Sequence, residues 1–512
     1  MNLSRKPKVL FVKPNYNKYY VTFLPDYEPL VCLLLGACIE DIAEINVFDR
    51  RFDTEENLIK TIKEFKPDIL ATRTHTAGEI YTTLHIMELA KKINPNILNL
   101  VGGQHATLLP EDFQKPQVDL ICIGPGEVTM REIVIAFSDN KDFSVVKGLS
   151  FRQGDSFFLT APRCPESGII KWPHINKSYA DKYRKHYFNT FLEQPVGFTL
   201  TSMGCPYRCK FCSLWVAARG TYRRRTPEEI ALDLKNQPYD FVHITDDNTF
   251  HNEEHAMEVL SYLKKYNVKK QYLAYARVDT IVNKQHVFEA WKEVGLKELV
   301  VGMEACTDAH LVHLNKKTSQ DENANAHQIL EKIGIRNYAH FIVMPDFEPS
   351  DFDRIWKFID EMNITYPVFV PFTPVPGTPL FFEAKEQKQL SSFHYGYYTL
   401  MYMVMKTKMP KVLFYKKYLE LYAKTASTST QKKRRLLSPT YDEKVFTAKG
   451  RVSKRFIPPF LYRMAGQILH ENTFNYKKNE HKLPPSLRMD YKTDKYYHAA
   501  TVSELKEIAK VD

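Results

Sequence analysis

Residues 204–212 read Gly-Cys-Pro-Tyr-Arg-Cys-Lys-Phe-Cys and follow an apolar, β-branched run at 196–201. The motif spaces three cysteines as C-x₃-C-x₂-C: Cys205, Cys209 and Cys212. Thiolates this close on one loop can hold an iron–sulfur cluster, for which cysteine is the usual ligand. A structural zinc site closes four ligands, and no nearby C-x₂-C or H-x₃-H pair supplies the rest. The motif therefore predicts a 4Fe–4S cluster with one open iron, rather than three unrelated core cysteines.

Composition limits the class of protein. The chain has 512 residues, enough for roughly two to four domains. It contains no apolar run of about 18 residues, so we expect no transmembrane helix. Residues 1–6 lead straight into a strand and lack the apolar core of a signal peptide. Eight cysteines in a chain this long do not form a disulfide framework, which predicts a reducing, cytoplasmic location.

The net charge of +11 is partly concentrated in the run Lys432-Lys433-Arg434-Arg435. Such a run can lie against an anionic membrane surface or nucleic acid, or it can be an ordinary solvated face. Because no nucleic-acid-binding motif accompanies it, we expect no nucleic-acid partner, while peripheral contact with a membrane remains open.

The first 150 residues alternate strands with helices, which predicts a doubly wound parallel sheet. The expected strands are 9–12, 45–49, 68–72, 97–101 and 120–123, and the expected helices are 30–40, 55–65, 79–92 and one after Gly126. Ligands of such sheets bind beyond the carboxyl ends of the strands. Three loops at those ends stand out: Thr72-Arg73-Thr74-His75, Gly102-Gly103-Gln104-His105 and Gly124-Pro125-Gly126-Glu127. Paired glycines let backbone approach a flat or anionic ligand closely.

Residues 151–195 contain a hairpin around Gly154-Asp155 and then several prolines, and we interpret them as a linker. Residues 196–385 hold six strand–helix repeats, with strands at 197–201, 241–245, 271–276, 298–302, 339–343 and 368–372. Six repeats predict an open, partial (β/α) barrel whose chemistry lies at the carboxyl ends of its strands. Polar residues follow several of those ends: Asp246, Asp247, Asn248, Arg277, Asp279 and Glu304.

Residues 386–512 are rich in aromatic, methionine and lysine residues and predict a mainly helical region with a polar tail. The segments 394–398 and 402–405 predict an apolar helical wall, and residues 414–422 predict a further helix. This wall is either core packing or the lining of a pocket for a large apolar substrate.

The cysteine motif, with Phe211 before its last cysteine, resembles the signature of radical S-adenosylmethionine (SAM) enzymes. The resemblance implies that the open iron binds SAM and that Phe211, Asp246, Asp247, Arg277, Asp279 and Glu304 contact it. The N-terminal domain resembles the cobalamin-binding domain that precedes many such enzymes. Its three loops then border cobalamin through Thr72, Arg73, Thr74, His75, Gly102, Gly103, His105, Gly124, Gly126 and Glu127. The D-x-H-x-x-G motif is absent, so we expect no cobalt-ligating histidine from the first loop; His75 or Arg73 could approach the lower face.

Local sequence at 212–215, 245–248 and 373–378 is most similar to hopanoid C-3 methylases and, more distantly, to anaerobic magnesium-protoporphyrin ester cyclases. The resemblance implies methylation of an unactivated carbon of a small-molecule or lipid substrate, through a 5′-deoxyadenosyl radical and methylcobalamin. A reducing partner such as flavodoxin or ferredoxin is implied as well. Two alternatives stay open: ring closure or carbon–carbon bond formation without methyl transfer, and a cobalamin- or cluster-based sensor.

Overall fold

The computed structural model describes residues 5–16, 26–187 and 196–442, which form two α/β units and a C-terminal extension. The first unit contains β1 (Lys8–Lys13), β2 (Glu44–Asp49), β3 (Ile69–Arg73), β4 (Leu98–Gly102), β5 (Leu120–Cys122), β6 (Leu149–Gln153) and β7 (Ser156–Leu159). Its helices are α1 (Leu30–Ala37), α2 (Glu55–Phe65), α3 (Ile80–Ile93), α4 (Gln104–Leu108) and α5 (Gly126–Ser138).

The first sheet has the strand order β2-β1-β3-β4-β5-β6-β7, and its first five strands are parallel. Successive side chains of a strand point to opposite faces. In β1, Leu10 and Val12 accordingly join a core with α2 and α3, whereas Val9 and Phe11 join a core with α1 and α5. Helices cover both faces, which confirms the predicted doubly wound sheet.

The remaining strands are β8 (Gly168–Ile170), β9 (Val196–Thr199), β10 (Ser202–Met203), β11 (Arg223–Arg225), β12 (Phe241–Ile244), β13 (Gln271–Arg277), β14 (Leu296–Glu304), β15 (Arg336–Val343) and β16 (Tyr366–Pro371). The helices are α6 (Leu214–Ala217), α7 (Pro227–Asn236), α8 (Glu253–Lys265), α9 (Val278–Asn283), α10 (Gln285–Glu293), α11 (Asp308–His313), α12 (Gln320–Ile333), α13 (Pro349–Glu361), α14 (Pro379–Glu386), α15 (Lys411–Ala426) and α16 (Thr428–Leu437). Six strands form an all-parallel sheet in the order β9-β12-β13-β14-β15-β16, which confirms the six-repeat partial barrel.

The stretch interpreted as a linker is built into both units. Strands β6 and β7 form the expected hairpin, but they pair antiparallel onto β5 and extend the first sheet to Leu159. Strand β8 pairs parallel with β11, which pairs antiparallel with β10 just after the first barrel strand. The sequence gives no hint of the β8 pairing, since three residues are too few to show a period.

The expected helical wall at 394–405 is not helical: it holds a single 3₁₀ turn, Tyr395–Tyr397, and one bridge between Leu390 and Met405. Tyrosine hydroxyls replace the missing helical hydrogen bonds. The amide of Tyr395 donates to the Tyr81 hydroxyl at 3.0 Å, and that of Met403 donates to the Tyr415 hydroxyl at 2.6 Å. Apolar residues at nearly every position suit a segment buried on all sides, and α15 supplies the expected helix over 414–422.

Two residues of the basic run, Lys433 and Arg434, are engaged by their own chain. On α16, Lys433 pairs with Asp360 at 2.8 Å, and Arg434 is fully buried, donating to the carbonyl of Ile359. Burial lowers the pKa of Arg434 to about 10. Within the described ranges, no helix is both long and apolar enough to cross a membrane. The polar tail expected beyond residue 476 lies outside the described residues.

The two units meet in a small apolar cluster, in which Leu108 of α4 packs with Trp215, Val216 and the loop residue Val375. The Gln104 amide adds a hydrogen bond to the Ser213 hydroxyl at 2.5 Å. Gly377, with φ +87°, lies so close that a Cβ there would stand 2.6 Å from the Cβ of Leu108. The cluster therefore fixes the barrel loop 373–379 against the first unit.

Gly377→Ala should destabilise the protein more than Gly154→Ala. Both glycines have positive φ, and an added Cβ carries about 1 kcal/mol of backbone strain at either site. At Gly154 nothing lies within 4 Å of the added carbon, whereas at Gly377 overpacking against Leu108 adds about 1–3 kcal/mol. Chemical denaturation of both variants measures the difference; equal losses would show that the loop does not depend on this contact.

Candidate functional site

An open cavity of about 270 Å³ lies where the carboxyl ends of the first sheet face the first strands of the barrel. All but two of the residues predicted to border cobalamin line it: Thr72, Arg73, His75, Gly102, Gly103, Gly124, Gly126 and Glu127. The opposite wall comes from the barrel and includes Leu200, Met203, Gly204, Leu214, Ala217, Arg223 and Asp247. The cavity thus joins loops more than 100 positions apart in sequence.

Thr74 and His105 are the two that do not line the cavity. Thr74 is fully buried, and its hydroxyl donates to the carbonyl of Gly102 at 3.2 Å. His105 is buried with Nε2 at 2.8 Å from an Asp112 carboxylate oxygen, and its ring packs on Phe113. Thr74 and His105 each come directly after a residue that lines the cavity, and their side chains point the other way, into the protein. They therefore stabilise the two loops from the core side.

Arg73 and His75 form a hydrogen-bonded pair on the cavity wall, with 3.1 Å between Nη2 and Nδ1. Gly103 makes room for them: its φ is +99°, and a Cβ there would stand 2.8 Å from the Cγ of Arg73. Gly124 also has positive φ, +88°. Because Gly103 and Gly124 have no side chains, they leave space along the cavity wall that any other residue would fill. This space fits a large flat ligand such as a corrin.

One ion pair crosses the cavity boundary. Arg223, on β11, donates to a carboxylate oxygen of Glu127 at 3.0 Å, and both side chains are mostly buried. Sequence analysis singled out Glu127 but did not pair it with Arg223, because nearly 100 residues separate them. The neighbouring Arg225 has a different role, since it pairs with Asp233 inside the barrel at 3.3 Å.

The cysteine loop lies at the barrel end of the cavity. Trp215 fixes it by donating Nε1–H to the Cys209 carbonyl at 2.9 Å, and the Cys212 amide donates to the same carbonyl at 3.1 Å. Phe211 is half-buried and packs on the core. Burial and the neighbouring Cys209 and Cys205 raise the pKa of Cys212 to about 12. Because burial disfavours the charged thiolate, these cysteines need nearby positive charge to bind a cluster as thiolates.

The donor set fits an iron–sulfur cluster better than a single ion. In residues 5–16, 26–187 and 196–442, no three His, Cys, Asp or Glu side chains converge as ligands of one metal ion do. Thiolates that hold a cubane each bind a different iron atom and need not converge on one point. Each of the three cysteines is a free thiol, and Arg277 places Nη1 3.5 Å from the Sγ of Cys209.

Asp246 and Asp247, both predicted to contact SAM, have different surroundings. Asp246 is buried and accepts four hydrogen bonds, from the amides and hydroxyls of Thr201 and Ser202. A carboxylate offers about four lone-pair sites, so Asp246 has none to spare for a ligand. It joins the ends of β9 and β12. Asp247 lines the cavity, and among the described residues its carboxylate accepts only from the Gly204 amide, at 2.7 Å.

Asn248 is buried, and within the described parts of the chain neither atom of its side-chain amide has a hydrogen-bond partner. Buried amides are normally satisfied, so this one stands out, although Asn248 does not itself line the cavity. Together with the half-used carboxylate of Asp247, it offers a donor and acceptors next to the cysteine loop. This arrangement fits the polar groups of SAM.

Arg277 and Asp279 pair at the end of β13, with Nε and Oδ1 2.9 Å apart. The guanidinium stacks 3.6 Å above the ring centroid of Tyr207, in the cysteine loop, and donates to the carbonyl of Lys316 at 2.8 Å. Asp279, Cys209 and Tyr207 outweigh the desolvation of Arg277 and raise its pKa. The cation is therefore permanent and lies directly beside the cluster loop.

Glu304 forms a buried ion pair that sequence analysis missed, with Lys316 Nζ 2.8 Å from its Oε1. Glu304 has φ +62°, a left-handed conformation that is uncommon outside glycine. A Cβ on Gly302 would overlap this carboxylate and stand 2.9 Å from Lys316 Nζ. Lys316 follows helix α11, and no sequence pattern there predicts a functional lysine. A register shift in β14 brings Lys316 and Glu304 together.

Two family profiles match this architecture. The B12 binding domain matches residues 17–134, and the radical SAM superfamily matches residues 199–359. The chain is a cobalamin-dependent radical SAM enzyme. The two matched regions coincide with the two walls of the cavity, so cobalamin, the 4Fe–4S cluster and SAM are its cofactors.

Relatives of this radical SAM enzyme align over most of its length. An uncharacterised methyltransferase of Pyrococcus horikoshii is 27% identical over 391 residues, covering 74% of this chain and 83% of that protein. The hopanoid C-3 methylase of Methylococcus capsulatus is 25% identical over 414 residues, covering 80% and 78%. The anaerobic magnesium-protoporphyrin IX monomethyl ester cyclase of Cereibacter sphaeroides is 27% identical over 426 residues, covering 78% and 67%.

A solved structure shares the fold of this radical SAM enzyme. OxsB, a cobalamin-dependent S-adenosylmethionine radical enzyme with aqua-cobalamin and SAM bound, superposes with a TM-score of 0.64 at 14% identity. The superposition covers 99% of this chain and 84% of OxsB.

Asp246→Asn and Asp247→Asn should separate structural from ligand-binding roles. Asp246→Asn places an NH₂ group against donors and should cost about 2 kcal/mol or more of stability. Asp247→Asn keeps an acceptor for the Gly204 amide, so it should cost about 0.5 kcal/mol yet weaken SAM binding. Denaturation curves and equilibrium dialysis measure both; similar stability losses in the two variants would contradict the assignment.

Proposed function

We propose that this enzyme transfers a methyl group to an unactivated carbon of an apolar, lipid or hopanoid-like substrate. The observation that carries the proposal is the shared cavity, because a carbon placed there lies between the cobalamin loops and the cysteine loop. The barrel side of the wall presents a hydrocarbon patch made of Leu200, Met203, Leu214, Ala217 and Ala218. The relatives named as methyltransferases and as a hopanoid methylase support the reaction and the substrate class.

The cofactors supply hydrogen-atom abstraction and the methyl group when bound; the protein binds, orients and excludes water. Arg277, stacked on Tyr207, supplies fixed positive charge beside the cluster loop. The Arg223–Glu127 ion pair ties the two walls together, and the small apolar cluster around Trp215 holds the cysteine loop against the first unit. Holding reactants in a fixed geometry contributes directly to rate.

Glu304 and Lys316 are suited to hold the amino-acid end of SAM. A zwitterion carries an ammonium and a carboxylate, and this buried pair offers one opposite charge to each. Arg277 connects the pair to the cysteine loop, since it donates to the Lys316 carbonyl and contacts Cys209. Asp247 and Asn248 would meet other polar groups of the same cofactor.

A second candidate is ring closure or carbon–carbon bond formation on a lipid or porphyrin. The magnesium-protoporphyrin ester cyclase relative favours it, because it aligns over as much of this chain as the methylase does. Both reactions use the same cofactor-binding residues, so the side chains facing the substrate would decide between them.

Electrons must reach the cluster from outside, and we expect flavodoxin or ferredoxin as the donor. Lys210 lies between Cys209 and Cys212 and is exposed, which leaves a cation next to the cluster loop for an acidic partner. Peripheral contact with a membrane would give access to a lipid substrate.

Product mass distinguishes the two reactions. In a host fed methyl-labelled methionine, we expect a lipid that is one CH₂ unit heavier and carries the label only when the intact gene is present. Lipid mass spectrometry measures this, with Cys209→Ser as the matched inactive control. A product two hydrogens lighter, with its carbon count unchanged, would contradict methyl transfer and favour the cyclase.

Lys316→Met should remove the preference for SAM over decarboxylated SAM, which lacks the carboxylate that Lys316 would meet. A charged hydrogen bond contributes about 1.5–3 kcal/mol, so the preference should fall roughly 10- to 100-fold. Comparing two ligands on one variant cancels any loss of folded protein. Glu304→Gln is the matched control, since it should weaken both ligands alike. An unchanged preference in Lys316→Met would exclude this role.

A further inference from the structure

Arg277 connects several parts of the barrel mouth through one guanidinium. Its Nε and Nη2 face the carboxylate of Asp279, with Nε 2.9 Å from Oδ1, and Nη2 also donates to the carbonyl of Lys316 at 2.8 Å. The group stacks on Tyr207, 3.6 Å from the ring centroid. Its Nη1 points at the Sγ of Cys209, at 3.5 Å. The guanidinium is therefore held by three neighbours, and its remaining N–H group is directed at a cysteine of the motif.

This contact is specific to one cysteine. Among the residues that the structure describes, Arg277 is the only side chain that donates a hydrogen bond to Cys205, Cys209 or Cys212. The side chain of Arg277 is 8% exposed and that of Asp279 is 18% exposed, so little water screens either charge. A guanidinium does not lose its proton in a protein. The sulfur of Cys209 thus has a permanent, directional cation as its neighbour.

Charge next to a ligating sulfur controls how readily an iron–sulfur cluster accepts an electron. The electron that an external donor delivers adds negative charge to a cluster that its thiolate ligands have already made negative. A nearby cation that donates to a ligating sulfur stabilises the reduced form more than the oxidised form, and so raises the reduction potential. A carboxylate has the opposite effect, and Asp279 binds the edge of the guanidinium that faces away from Cys209. Arg277 and Asp279 therefore act on the cluster with opposite signs, and Arg277 is the nearer of the two.

We propose that Arg277 raises the reduction potential of the cluster through its bond to Cys209, and that Asp279 both holds the guanidinium in place and limits the rise. Both are positioning residues, because they act through a cluster ligand and do not touch the substrate. The pair would set the potential at which an external donor can reduce the cluster. The proposal rests on the cofactor assignment and not on methyl transfer, since the cluster accepts its electron before any substrate reacts.

The test uses the purified enzyme with its cluster reconstituted, without SAM or substrate. Electron paramagnetic resonance of the reduced cluster, recorded without oxygen as the solution potential is lowered stepwise, gives the midpoint potential. Arg277→Gln removes the charge and keeps an N–H donor for Asp279, so it should shift the midpoint downward. Asp279→Asn removes the opposing charge and keeps an acceptor for Arg277, so it should shift the midpoint upward. A pair with a merely structural role would not give shifts of opposite sign.

Arg336→Gln is the matched control. Arg336 is similarly buried and also pairs with a carboxylate, but it begins β15, whereas Arg277 ends β13, so the two lie at opposite ends of the barrel. The midpoint of Arg336→Gln should equal that of the wild type. Arg277→Lys keeps the charge without the directed N–H group, and its midpoint should lie between those of the wild type and Arg277→Gln.

An unchanged midpoint in Arg277→Gln with full iron content would overturn the proposal. Shifts in the same direction for Arg277→Gln and Asp279→Asn would overturn it too, as would an equal downward shift in Arg336→Gln. If Arg277→Gln does not retain the cluster, Asp279→Asn decides, because a midpoint at or below that of the wild type would contradict the assigned sign. Failure of the wild type to take up a cluster would refute the cofactor assignment and, with it, this proposal.

Discussion

The structure depends on one constraint: the carboxyl ends of two parallel sheets face each other across a single cavity. In each sheet those ends collect loops from distant parts of the chain, and the ion pair between Arg223 and Glu127 connects the two sets. Neither sheet alone encloses the cavity, because the first supplies the glycine cradle and the second supplies the cysteine loop. The apolar contact of Leu108 with Trp215 and Val216 keeps the two edges at a fixed separation.

The sequence predicted the strands well, because buried parallel strands are continuous β-branched and apolar runs. All six barrel strands and the first five strands of the N-terminal sheet lie where those runs lie. Short or uniformly apolar segments were not predictable. Strand β8 is too short to show a pattern, and residues 394–405 obtain their hydrogen bonds from tyrosine hydroxyls, which no local rule anticipates.

The site was predictable by position but not by role. Adjacent residues at a strand end point in different directions, so Asp246 became a structural acceptor while Asp247 reached the cavity. Likewise His105 turned into the core while Gly103 formed the wall. Lys316 could not be predicted at all, since its pairing with Glu304 depends on a register shift and on a left-handed backbone at Glu304.

Six charged groups of the site form three ion pairs, namely Glu304 with Lys316, Arg277 with Asp279, and Glu127 with Arg223. Buried charges are tolerated only when they are paired, so the loss of one partner would leave the other charge buried and uncompensated. The pairs also limit the chemistry: a ligand that enters must offer a comparable charge before it can displace a partner. A zwitterion meets this condition at Glu304 and Lys316, whereas an apolar molecule does not. Of the three pairs, Glu127 and Arg223 line the cavity, where Leu200, Met203 and Leu214 offer hydrocarbon, whereas Glu304 and Lys316 offer their charges apart from it. A zwitterionic group and an apolar group would therefore be bound at different places.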